Sequence, residues 1–490
     1  MLHLRNLRDR PPLLYYWRNK RNILLPHPNS RLVFSLLTAI LITIAYACPA
    51  FAQSLLRDTE IEETLSEYTD PILRAAGLTP SNVDLYLVND PSLNAFVTRG
   101  QNIFLHSGII LESDTPNQLK GVIAHEAGHI AGGHIVRSDY GNRSAYGAIL
   151  IAAGIGLAAI LAGEAEAGSL ILGGSQQFGV IESLAYSRVN ESAADQYAAQ
   201  YMERTGQSTQ GLIDFFDKFR AQEVLSQARR YPYFRGHPLS ADRIDALREK
   251  VEESEYTVQR DSYDHQHRLD MAKAKLRGFL EGPQLVFSRY PPQDTSKPAR
   301  YARAVAHFKA ADLRNAIREI DSLIEEEPEN AYFYELKAQI LYESGQGDKS
   351  IAPAKRALEL KPDSPLLKLA LAQALLETSD GASVQQSVDL LKSGLVSEPQ
   401  NGFMWYTLSR AYGELNQEAL ARYATAEQAY VIGDVQRARS FAQRAQEDLP
   451  RNGPQWRRAS DIIVISDSEL AKKRNKRTRR KPLTFQTDRR

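Results

Sequence analysis

The chain has 490 residues, with 60 Lys and Arg against 59 Asp and Glu, a formal charge of +1. That length predicts two or three domains, and the near-balance of charge excludes a strongly basic nucleic-acid-binding protein. The single cysteine, Cys48, leaves no internal disulfide and no thiolate cluster, so any metal must be held by nitrogen and oxygen.

Residues 1–31 carry seven basic residues against one acid, and an apolar run from Leu32 to Ala47 follows. Ala50-Phe51-Ala52 then offers a small-residue cleavage site ahead of Gln53. Basic, apolar and small in that order spells a secretory signal peptide over residues 1–52. At the other end, Lys472 to Arg490 holds ten basic residues and one acid, which leaves the body between near −14. An acidic body with a basic, disordered tail is the expectation.

A polar amphipathic helix pattern runs from Ile61 to Ala76. Val83–Val88, Asn94–Thr98 and Asn102–His106 alternate as short strands around turns, predicting a small antiparallel sheet. Next comes a helix with designed ends: Thr115 as N-cap, Pro116 in the first turn and Gln118 to close a capping box. Within it, His125-Glu126-Ala127-Gly128-His129 reads H-E-x-x-H. Residues i and i+4 share a helix face, so His125 and His129 can offer two imidazoles to one ion, with Glu126 beside them as the base that deprotonates water. The longer metzincin pattern fails: Gly132 fits, but Ile135 stands where the third histidine is required. His134 reads as a surface histidine or one lying behind the ligands.

Ser144 to Gly163 is free of charge and long enough to span a bilayer, but it lies between His129 and Glu191. A crossing there would separate residues that must meet, so a helical hairpin beside the cleft is expected. Ser187-Arg-Val-Asn-Glu-Ser-Ala-Ala-Asp195 follows, with Glu191 placed to be a third ligand and Asp195 to fix the tautomer of a ligating imidazole. Two histidines and a glutamate leave a fourth tetrahedral position open, which is the catalytic arrangement. Tyr231 to Pro238 is turn-rich, and Arg243 begins the next helix.

Taken together, Asn94-Ala95-Phe96, His125-Glu126-x-x-His129, Ser187-Arg188-x-x-Glu191-x-x-x-Asp195 and His237-Pro238 resemble the HtpX/BepA-like gluzincin metalloproteases. The resemblance implies one zinc ion on His125, His129 and Glu191, and substrate pairing along Asn94, Ala95 and Phe96. It also implies that the His237…Arg243 element returns to the metal. His237 would then either stabilise the oxyanion or occupy the open position and hold the enzyme off. Arg243 would act on the same oxyanion.

Residues 261–297 read as a charged helical connector. Beyond it, Glu327-Pro328 and Lys361-Pro362 stand 34 residues apart, and Glu398-Pro399 follows after 37. That period, with paired helices between, resembles tetratricopeptide repeats. The expected architecture is mainly α. An α+β gluzincin domain over 53–260 precedes a helical repeat solenoid over 298–464 and a tail over 465–490. The resemblance implies a periplasmic endopeptidase in quality control of outer-membrane proteins, with the repeats binding clients or an assembly complex. The competing expectation is a repeat-based chaperone or adaptor whose metal site is residual.

Overall fold

The computed structural model describes residues 55–98, 100–134, 188–225, 233, 237, 239–378 and 380–479. The signal peptide, the apolar segment 144–163, most of the 231–238 turn and the last part of the basic tail lie outside the described residues.

Strand β1 (Leu55–Leu56) leads into helix α1 (Thr59–Ala75), whose N-cap Asp58 accepts from the Ile61 amide at 3.0 Å. Ile61, Leu65, Tyr68 and Ile72 recur at helical spacing along α1 and are buried in one core. Strands β2 (Asp84–Val88), β3 (Ala95–Thr98) and β4 (Asn102–His106) follow. The sheet order is β1-β2-β4-β3. It is mixed rather than wholly antiparallel: β2 runs parallel to β4, pairing Leu85 with Ile103 and Leu87 with Leu105. The β3–β4 pair is an antiparallel hairpin turned through Gly100 and Gln101 at φ 86° and 61°. Among the described residues β3 is therefore an edge strand. Ala95 and Val97 face the core, while Phe96 stacks on Phe104 at 5.0 Å on the other side.

Short helix α2 (Ser107–Glu112) leads to α3 (Pro116–Ala131), against which α4 (Arg188–Arg204) and α5 (Gln210–Leu225) pack, and α6 (Ala241–Glu253) packs on α4 and α5. The cap of α3 is nearly as expected. Thr115 Oγ1 accepts from the Gln118 amide, but Gln118 Oε1 reaches back to the amide of Asp114 rather than to that of Thr115.

Helix α7 (Tyr263–Leu280) contributes Leu269, Ala272 and Leu276 to the same core as α3. After α8 (Pro283–Arg289) come paired helices: α9 (Lys297–Lys309) with α10 (Leu313–Glu326), then α11 (Ala331–Glu343) with α12 (Gly347–Leu360). They continue as α13 (Pro365–Leu376) with α14 (Gly381–Ser397), α15 (Gly402–Glu414) with α16 (Glu418–Val431), and α17 (Val435–Asp448) with α18 (Pro454–Arg479). This is a TPR-like array, and the mainly helical fold is as the sequence predicted.

Charged side chains join the array to the sheet-bearing core. Lys275 of α7 is buried with its Nζ 2.6 Å from Asp58, 3.4 Å from Glu60 and 3.6 Å from Glu335 of α11. Tyr301 of α9 donates to Glu60, and Arg57 bridges Glu62 and Glu398. Burial pushes the Glu335 carboxyl up to about 7 against the pull of Lys275, with Asp58 adding to the rise. A carboxyl whose folded value lies above its unfolded value contributes stability that is full below about pH 4.5 and lost as pH rises through 7. Between pH 5 and 8 the wild type should therefore lose stability relative to Glu335→Gln. Urea midpoints at each pH check this, and parallel curves for the two proteins would refute it.

Candidate metal centre

Helix α3 presents His125, Glu126 and His129, all with no exposed surface. Gly128 lies between Glu126 and His129 for a packing reason. A Cβ there would meet the Ala194 carbonyl of α4 at 2.9 Å, so the glycine lets the two helices close upon each other. That approach brings Glu191, in the first turn of α4, and Asp195, one turn on, against the imidazoles. His237 arrives from the loop before α6. Its amide donates to the Tyr233 carbonyl at 2.7 Å, and the Tyr233 amide donates to Leu93, two residues ahead of β3. The Tyr233 ring stacks on His237 with centroids 4.6 Å apart.

Four side chains converge. His125 Nε2 lies 3.1 Å from His129 Nε2 and 3.2 Å from His237 Nδ1. Glu191 Oε2 lies 3.1 Å from His237 Nδ1 and 3.4 Å from His125 Nε2, and its Oε1 lies 3.4 Å from His129 Nε2. A tetrahedral ion with bonds of about 2.0 Å separates its donors by about 3.3 Å. These side chains thus stand at the edges of such a coordination figure, and they form a buried group able to hold a metal ion.

The proton arrangement argues the same way. Asp195 Oδ1 accepts from His125 Nδ1 at 2.9 Å, leaving the lone pair of that ring on Nε2. His129 Nδ1 is likewise engaged, at 2.9 Å from His134 Nδ1. Two ring nitrogens then face each other across 3.1 Å with lone pairs outward, which a shared cation stabilises. Glu191 Oε1 accepts no hydrogen bond although it is buried, and neither does either oxygen of Glu126.

The metal-free electrostatics are correspondingly tense. Burial opposes charge on His125, yet the Asp195 and Glu191 carboxylates push it up to about 9. Burial and the neighbouring His125 and His237 charges drive His129 well below its ordinary value. Glu191 is held far below the usual carboxylate range: burial opposes this, but His237 and His125 outweigh it. Burial raises Glu126.

Arg243 comes from the first turn of α6, which Ser240 caps. Its Nε and Nη2 grip Asp195 at 2.6 and 2.8 Å, and Nη1 stands 3.3 Å from Glu191. The guanidinium fork thus serves the carboxylates behind the imidazoles. Asn94, Ala95 and Phe96 lie on and just before the edge strand β3, which packs beside α3. One participant escaped the sequence reading and another was left between two readings. Tyr233 lacked any motif, although the aromatic cluster Tyr231-Pro-Tyr233 was a signal. His134 was read as either a surface histidine or one behind the ligands, and it is buried, 2.9 Å from His129.

A buried H-E-x-x-H helix with a glutamate and a third histidine in one donor set defines a metalloprotease. Residues 56–251 match the model of peptidase family M48. It is 26% identical over 379 residues, 74% of each chain, to the "Beta-barrel assembly-enhancing protease" of Escherichia coli (strain K12). The protein of the same description from Yersinia pestis is 26% identical over 355 residues, covering 69% of this chain and 70% of that one. "Metalloprotease LoiP" of Escherichia coli (strain K12) is 29% identical over 177 residues, 35% of this chain and 63% of the relative.

Proposed function

We propose that the protein is a zinc-dependent endopeptidase of the periplasm that degrades misfolded or stalled proteins in outer-membrane protein quality control. The observation that carries the chemistry is the convergence of His125, His129, Glu191 and His237 within one buried donor set. An all-nitrogen-and-oxygen set with one carboxylate suits zinc. The relatives' printed function in β-barrel assembly supports the cellular task.

When bound, the ion supplies Lewis acidity toward the scissile carbonyl and toward water. The chain's own residues do the rest. His125, His129 and Glu191 hold the ion, and Asp195 fixes the tautomer of His125. Arg243 secures Asp195 and Glu191 together, so we assign it to positioning. Glu126 is the general base, since its buried carboxyl has a raised proton affinity and no competing hydrogen bond. β3 offers an edge along Asn94, Ala95 and Phe96 on which an extended peptide can add as a strand.

The division proposed is a protease domain over 53–260, a connector over 261–297 and repeats over 298–464. The repeats take clients or a membrane assembly complex. A mainly apolar cavity of about 280 Å³ between α1, α7, α11 and α13, lined by Ile61, Phe279, Ala338, Leu369 and Phe403 among others, suits apolar side chains of such partners.

Metal analysis of the purified protein alongside casein cleavage with and without a chelator tests the reading. One zinc per chain and chelator-sensitive cleavage are expected. Glu191→Ala should weaken zinc binding at least tenfold in equilibrium dialysis, because a buried anionic donor is removed. Undiminished affinity would reject Glu191 as a ligand.

A further inference from the structure

Helix α3 ends in a left-handed glycine turn. Gly132 is its C-cap, and Gly133 follows with φ 65°. That left-handed turn reverses the chain at once, so that His134 folds back over the helix end it has just left. The return is close: a Cβ on Gly132 would lie 2.5 Å from His134 Nε2. His134 is buried, and its Nδ1 stands 2.9 Å from Nδ1 of His129.

The two ligating imidazoles of α3 are therefore backed differently. His125 has a carboxylate behind it, Asp195, itself held by Arg243. His129 has an imidazole behind it, that of His134. We infer that His134 is a positioning residue for the metal site, accepting the Nδ1 proton of His129 so that the Nε2 lone pair of that ring is fixed toward the donor set, and that Gly132 and Gly133 exist to let it return.

The argument is one of proton accounting. His129 Nε2 is 3.1 Å from His125 Nε2 and 3.4 Å from Glu191 Oε1, so Nε2 is its inward atom. A neutral imidazole with its lone pair on Nε2 carries hydrogen on Nδ1, and that N–H is buried. Left without an acceptor it would favour the opposite tautomer, or another ring orientation, and either removes the donor. His134 Nδ1, at 2.9 Å, can supply that acceptor. One ring is thus backed by a carboxylate and the other by an imidazole, so the site is built from two unequal histidines.

The inference rests on the four-donor cluster binding zinc, and the test separates the two. Full-length protein, stripped of metal, is titrated with Zn2+ against a chromophoric chelator. His134→Leu keeps an apolar side chain of moderate size but removes the acceptor, and the zinc dissociation constant should rise ten- to a hundredfold. His134→Asn places an amide oxygen where Nδ1 stands and should restore most of the affinity. Gly133→Ala leaves His134 in the chain but strains the turn that returns it, and should weaken zinc binding in the same direction. Nitrogen-15 spectra of the imidazoles should show His129 losing its single Nδ1–H tautomer in His134→Leu. Wild-type affinity in His134→Leu would overturn the inference, as would equal losses in the leucine and asparagine variants. Failure of the wild type itself to bind zinc would instead reject the metal site.

Discussion

Replacing Glu126 with glutamine should lower peptide hydrolysis by roughly two to four orders of magnitude while zinc content and melting temperature stay near those of wild type. The expectation follows from where the carboxyl lies. Glu126 has no exposed surface, shares the turn of His125, and stands 3.5 Å from His237 Nε2 without a hydrogen bond to either oxygen. Burial raises its proton affinity, with the facing imidazoles working against the rise, so it is a stronger base than a solvated glutamate. Glutamine keeps the volume and removes only the ability to take a proton. It also removes a buried charge, so the fold should not suffer. The four donors of the cluster are untouched, and a loss confined to turnover is the diagnostic result. Casein cleavage by protein of verified zinc stoichiometry measures it. A variant as fast as wild type would remove Glu126 from the chemistry.

What the sequence disclosed was whatever local physics determines. The α3 helix announced itself by the Thr115 cap, Pro116 and apolar spacing, and a period of 3.6 residues puts His125 and His129 on one face whatever surrounds them. The repeats were legible because a 34-residue period is itself a structural repeat. The rest depended on contacts distant in sequence. Alternation marks a strand but does not choose its neighbour, so the parallel β2–β4 pairing was hidden behind an expected antiparallel sheet. Asp261, which accepts from the Asn117 amide at 2.7 Å and pairs with Lys120 at 2.8 Å, ties the α3 helix to the segment before α7; no motif marks it. Arg243 makes contacts that no motif writes. The segment does return to the site, yet its guanidinium meets Asp195 and Glu191, because a buried carboxylate pair needs a bidentate cation.

Removing the His237 imidazole should raise cleavage of an unfolded protein several-fold. We propose that this residue is a latch, and its Nδ1 stands 3.2 Å from His125 Nε2 and 3.1 Å from Glu191 Oε2, distances that belong to a fourth donor. Four protein donors make a closed site, whereas three leave the position that hydrolysis needs. The loop holds His237 there through the Tyr233 stack and the bond from Tyr233 to Leu93 ahead of β3. A peptide adding to β3 would therefore press on the same chain that carries the latch, which would couple substrate arrival to opening. His237→Ala leaves His125, His129 and Glu191 to hold the ion, so zinc content should persist while resting activity climbs and self-cleavage products accumulate on storage. The opposite sign has a definite meaning. A fall of about a hundredfold, the usual cost of one lost oxyanion donor, would make His237 a stabiliser of the tetrahedral intermediate instead. Turnover and self-cleavage both unchanged would sink both roles. Time courses of casein cleavage and of intact-chain mass, run side by side on wild type and His237→Ala, distinguish the three outcomes. The first is expected, because a donor already seated among the ligands must leave before a substrate carbonyl can enter.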